Sequence, residues 1–154
     1  MPQVPELVAS LRAPNDKAAY GALKELTALS DRSDQVYPYF DDFAAMLDDP
    51  SSYVRTRGLT LLARNARWDR AGKLEGVLDA YLAHVTDEKP ITARQCIQHL
   101  RYILDARPQL APKVRAALEV ADFSAYPDSM APLLLRDALN ILNRIARSAP
   151  RPDV

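Results

Sequence analysis

Apolar residues recur at three- and four-residue steps along most of this chain, and nowhere do they alternate strictly with polar ones. Ala19, Ala22, Leu23, Leu26 and Leu29 fall on one face of a helix. Leu74, Val77, Leu78, Tyr81, Leu82 and Val85 repeat that arrangement further on. The same periodicity predicts helices over 4–12, 15–29, 37–48, 50–66, 69–86, 90–106, 109–121 and 129–147. Pro38, Pro50, Pro90, Pro108 and Pro127 stand at the junctions, where a residue without an N–H starts a helix or stops one. Asp49, ahead of Pro50-Ser51-Ser52, reads as an N-cap with proline at the first helical position, and Asp128 as a similar start. Four glycines against twelve prolines leave too few turn residues for a β-rich domain. The ending SAPRPDV, residues 148–154, reads as a flexible tail.

A repeat runs through these helices. One segment runs from Asp49 through Val54-Arg55 to Gly58 and Leu61. A second runs from Glu88 through Ala93-Arg94 to Ile97 and Leu100. The third runs from Met130 through Leu135-Arg136 to Leu139 and Leu142. The arginines are 39 and 42 residues apart, with a small or apolar residue before each and again three and six places after it. A period of about 40 residues with two helices per unit is the sequence sign of HEAT- and armadillo-type solenoids. The units are 37–67, 69–107 and 109–147, with N-terminal capping helices over 4–29, in one domain spanning 1–147.

An acid six residues before an arginine, at the start of a second helix, resembles the HEAT-like pattern. Asp49/Arg55 fits it, Glu88/Arg94 fits with a conservative swap, and Met130/Arg136 keeps only the arginine. The strings YPYFDDFAAML (37–47), SSYVRTRGL (51–59), NARWD (65–69), YLAHVTDEKPITARQC (81–96) and YPDSMAPL (126–133) are similar to a family of short bacterial HEAT-like proteins. That similarity covers about residues 15–147. It implies an all-α, right-handed α–α superhelix of about seven or eight helices. The label SufBD protein sometimes attached to this family names iron–sulfur scaffolds that are β-helical, and no strand pattern occurs here. By the same resemblance, the second helices line a concave face.

Length and charge narrow the function. The 154 residues suffice for one domain with a real core. Twenty basic and twenty acidic side chains give no net charge, which argues against a generally basic nucleic-acid binder. No apolar run approaches the roughly 20 residues of a membrane span, and MPQVPELVASLRAP has no basic-then-apolar leader pattern. A cytoplasmic protein with no membrane contact is expected. One cysteine excludes an internal disulfide framework.

The charge is unevenly placed. Residues 50–67 hold Arg55, Arg57, Arg64 and Arg67 with no acid. Residues 90–107 hold Arg94, Arg101 and Arg107 against Asp105, and 129–147 hold Arg136, Arg144 and Arg147 against Asp137. Asp41, Asp42, Asp48 and Asp49 crowd the preceding first helix. The concave face should therefore be rich in arginine, the side chain suited to bidentate carboxylate or phosphate contacts. Two readings stand side by side. Arg55 and Arg94 can form an inter-repeat ladder with no ligand. Alternatively, Arg94, Gln98 and Arg101, then Arg136, Asn140 and Asn143, each at i, i+4, i+7, line a binding stripe that Arg55, Arg57 and Arg144 extend. In the first unit the stripe becomes Arg55, Leu59 and Leu62, as though N-terminal helices or a partner's hydrophobe cover it.

Catalytic chemistry is sparse. Cys96 and His99, three apart, admit a thiolate–imidazole pair, but a helical cysteine is more often a small core residue. His84, with Asp87 and Glu88 nearby, and His99 are the only histidines, and the spacing makes a poor metal site. Adjacent Asp41 and Asp42 diverge by about 100° on a helix and form no dyad. The four isolated glycines make no phosphate loop, and Gly58 reads as a close helix–helix contact. Tyr37, Tyr39, Phe40, Tyr53, Trp68, Phe123 and Tyr126 cluster at junctions, as packing plugs or as an exposed binding rim. The expectation is a non-enzymatic adaptor for an acidic protein segment, without cofactor, metal or catalytic residue. Nucleic-acid or phosphate binding by the same face is the alternative, and the apolar part of the stripe also admits a homodimer.

Overall fold

Residues 3–148 are described by a computed structural model, and the flexible tail expected over 148–154 lies, but for Ser148, outside the described residues. Among the described residues there are helices and no strands. The helices are α1 (Val4–Ser10), α2 (Asp16–Arg32), α3 (Phe40–Met46), α4 (Ser52–Arg64), α5 (Lys73–Leu82), α6 (Pro90–Gln98), α7 (Leu100–Ala106), α8 (Ala111–Val120) and α9 (Ala131–Ser148). None of them is long and apolar enough to cross a membrane.

Several boundaries move for identifiable reasons. Tyr37–Tyr39 is a short 3-10 turn ahead of α3, and Pro108–Leu110 is another ahead of α8. The N-cap of α4 is Ser51, so Pro50 lies outside the helix; the Asp49 carboxylate accepts from the Ser51 N–H at 2.9 Å. The helix expected from 69 begins at Lys73, because Gly72 takes a left-handed φ of 74° that the preceding turn requires. Asp69 still starts that helix, from a distance: its carboxylate accepts from the N–H groups of Lys73 at 3.0 Å and Leu74 at 2.8 Å. The expected helix 90–106 is broken at His99, whose ring Nδ1 donates to the Gln95 carbonyl at 2.8 Å, where its own backbone N–H also bonds. A side chain competing for the i−4 carbonyl is a recognised cause of a helix break.

Two rows of helices enclose the core. α2, α4, α6–α7 and α9 lie side by side in chain order and are termed the inner row, while α1 packs on α2, α3 on α4 and α8 on α9. Tyr81 of α5 donates its buried hydroxyl to the Cys96 carbonyl of α6. The inner helices run parallel, since paired positions rise together along each neighbouring pair. Arg57 meets Asp16 and Asn65 meets Ser30; Thr56 meets Thr92 and Arg64 stacks on Tyr102; Arg94 meets Asp137 and Arg144 meets Asp105. Phe40, Phe43, Met46, Leu59, Leu62, Leu74, Leu78, Ile97 and Leu134 are sealed between the rows in one continuous cluster. Each such side chain contributes about 1.5–3 kcal/mol through burial. Leu59 and Leu62, the apolar positions that follow Arg55 where the polar stripe was expected, are wholly buried and α2 packs against their helix.

Candidate binding grooves

Most of the arginines expected to face a partner are spent on neighbours within the chain. Arg55 grips Asp87 bidentately, Nε to Oδ2 at 3.0 Å and Nη2 to Oδ1 at 2.9 Å, and its Nη1 donates to the carbonyls of Asp49 and Pro50. The expected acid, Asp49, thus supplies its carbonyl to Arg55 and its carboxylate to the Ser51 N–H. Arg57 is buried and donates to the Leu11 carbonyl at 2.9 Å, with Asp16 at 3.4 Å. Arg94 binds Asp137 at 2.7 Å, and the Gln98 amide donates to the same carboxylate at 3.4 Å. Arg64 holds Asp31, Arg107 holds Glu75 and lies near Asp69, and Arg144 holds Asp105. Arg55 and Arg57 are therefore largely buried, and of the two only Arg57 reaches the wall of a groove, the second described next. Arg136 is exposed but stands apart from both grooves described next.

Two grooves remain open on the inner row. The first, about 520 Å³, lies between α6–α7 and α9. Five of the nine sequence candidates line it: Gln98, Arg101, Asn140, Asn143 and Arg144. Arg64, His99, Tyr102, Asp137 and Arg147 complete its polar wall. Tyr102 organises the cations. The Arg64 guanidinium lies 4.3 Å from its ring centre and that of Arg101 4.7 Å, and Arg101 also donates to the Tyr102 hydroxyl at 2.7 Å. Arg101 and Arg147 have no carboxylate partner among the described residues. Burial, and with it the charges of Arg64 and Arg101, pushes the His99 pKa down against the opposing Gln95 hydrogen bond.

A second groove, about 1090 Å³, runs across α2, α4 and α6 and meets the first at Arg64 and His99, which line both. Its wall is mainly apolar or hydroxyl-bearing: Tyr20, Leu23, Tyr53, Thr56, Thr60, Ile91 and Thr92. Sequence reasoning offered Tyr53 only among aromatics at junctions and gave Tyr20, Tyr102 and Ile91 no role. A signal was present in the chain, because Tyr53 and Ile91 both occupy the second position of an inner helix.

The other chemical candidates separate in space. Cys96 is fully buried, its thiol donating to the Tyr81 carbonyl at 3.5 Å, and burial pushes its pKa well up. His99 is engaged with Gln95 instead, so the two form no nucleophilic pair. We expect Cys96 to resist an aromatic disulfide reagent in the native state and to react at once in denaturant; rapid native labelling would contradict its burial. His84 is tied to Asp87 at 2.7 Å, and no group of three or more ligating side chains gathers among the described residues.

No protein-family model, no curated protein and no solved structure matches this chain.

Proposed function

We propose that the protein is a non-enzymatic helical-repeat scaffold of HEAT-like type, working in the cytoplasm, that binds an acidic segment of a partner protein. The observation that carries this reading is the groove between α6–α7 and α9. There Arg101 and Arg147 stand beside the Asn140 and Asn143 amides with no carboxylate among the described residues to neutralise them. Such a groove offers a carboxylate chain both charge and donors.

The repeat reading has support of its own. Side-chain bonds between distant parts of the chain mostly span 32 to 43 residues, about one unit to the next. A solenoid whose units contact only their neighbours has this property. The unpaired, buried Cys96 suits a reducing compartment.

The test is the binding of a fluorescently labelled hexaglutamate peptide, beside a labelled single-stranded oligonucleotide, at low and moderate salt. We expect the peptide to bind and the Arg101→Glu/Arg147→Glu variant to lose at least about tenfold in affinity, since like charges now oppose the ligand. Both side chains are exposed and outside the ion-pair ladder, so melting should not change. An oligonucleotide that binds far more tightly, with a steep salt slope, would give the groove to a phosphate backbone instead. Equal peptide binding by wild type and variant would remove the site.

A further inference from the structure

We infer that the partner segment is bipartite: a short apolar stretch seats in the groove across α2, α4 and α6, and the acidic run beside it continues into the arginine groove. This rests on the acidic-segment reading above and adds what must precede or follow the acids.

Three of the large hydrophobic side chains that the fold leaves most exposed share this one groove. Tyr20 is 60% exposed, Tyr53 64% and Ile91 66%. They come from three successive inner helices, so the parallel row itself brings them together. Leaving such side chains in water forgoes the free energy their burial would yield, and contiguous exposed apolar surface in a concavity is the usual mark of a docking site.

Charge decides the occupant. The apolar groove is flanked by Lys24 and Lys89, and its one carboxylate, Asp31, is held by Arg64. Arg64 is also the wall through which this groove opens into the arginine-lined one. A ligand running along both therefore meets hydrophobic surface first and then uncompensated positive charge. A second copy of this chain would have to present an apolar element next to an acidic one on its own surface. The chain itself exposes Val120 between Glu119 and Asp122, one aliphatic side chain against the three exposed hydrophobes of the groove. A partner peptide is the better fit. The thirteen-residue α4 that floors the groove is about 20 Å long, the reach of about six extended residues.

Four labelled peptides test this: hexaglutamate, three leucines joined to the same glutamates in either order, and the leucines joined to serines. We expect one leucine–glutamate order to bind at least about tenfold more tightly than hexaglutamate, the gain that burying a few aliphatic side chains provides. The Tyr53→Ser/Ile91→Ser variant should lose that gain and keep the affinity for hexaglutamate. Both positions are exposed, so an unchanged melt will verify folding. If neither order exceeds hexaglutamate, or the gain survives both substitutions, the inference is overturned. A concentration-dependent dimer that the same substitutions dissociate would also overturn it, by giving the groove to a second copy. Failure of hexaglutamate itself to bind overturns the acidic reading rather than the apolar one, because the leucine–serine peptide reports on the apolar groove alone.

Discussion

Replacing Gly58 with leucine will lower the melting temperature by more than about 10 °C, the shift expected from several kcal/mol lost in a chain of this size. Gly58 lies inside α4, where it gives up about 1 kcal/mol of helix propensity relative to alanine. It is kept because α3 passes too close for any side chain. A Cβ built at Gly58 would stand 2.8 Å from the Phe43 carbonyl oxygen and 2.9 Å from the Met46 Cβ. One of these is backbone, so relief requires α3 to move as a body. That movement breaks the packing of Phe40, Phe43 and Met46, all sealed in the core. Alanine should already be destabilising by about 1–3 kcal/mol, the usual range for overpacking, and leucine by more. Calorimetric melts of the two variants measure the effect. A leucine variant that melts within about 2 °C of wild type, less than 1 kcal/mol, would show that α3 is not fixed there.

That glycine was legible in the sequence because the residues three places after Arg94 and Arg136, Ile97 and Leu139, are large. Periodicity likewise predicted the helices, since a buried stripe repeats every three to four residues whatever it packs against. The boundaries were less legible where a long-range contact sets them. Asp69 caps α5 across a turn closed by Gly72, and the break at His99 comes from a ring bonded to a carbonyl one turn back. The site was legible in half. Stripe spacing grouped Gln98, Arg101, Asn140 and Asn143, and the charge count added Arg144; these five do share a groove. Counting charges along one helix could not show which arginines are neutralised, because their acids come from distant parts of the chain. Asp87 serves Arg55 from 32 residues away, Asp31 serves Arg64 from 33 and Asp137 serves Arg94 from 43. Tyr20, Tyr53 and Ile91 escaped for a related reason: each is a lone exposed hydrophobe in sequence, and only the parallel row makes them one surface.

Arg55→Met will cost about 3–5 kcal/mol at neutral pH, the usual penalty for breaking a buried ion pair from one side. Asp87 is 5% exposed and joins three distant stretches of the chain. Its carboxylate takes Arg55 of α4, caps the Lys89 N–H ahead of α6 and holds His84, while its carbonyl accepts from Tyr126 ahead of α9. Burial by itself would raise the Asp87 pKa, but the hydrogen bonds from Arg55, the Lys89 N–H and His84 outweigh it and hold the group below its ordinary value. The linkage has a definite sign. A carboxylate whose pKa is lowered by folding adds stability that is complete above the unfolded pKa and disappears as pH falls through the native one. Asp69, held down by Tyr37, two backbone N–H groups and Arg107 against its own burial, contributes with the same sign. Wild type should therefore weaken below about pH 4, where unfolded carboxyls begin to protonate. The gap between wild type and Arg55→Met should narrow over the same range, because a protonated Asp87 no longer needs the guanidinium. Urea unfolding of both proteins at neutral and acid pH measures this. A gap that stays constant with pH would mean that Arg55 stabilises the fold by its packing and its bonds to the Asp49 and Pro50 carbonyls, and that the ladder's charge is incidental.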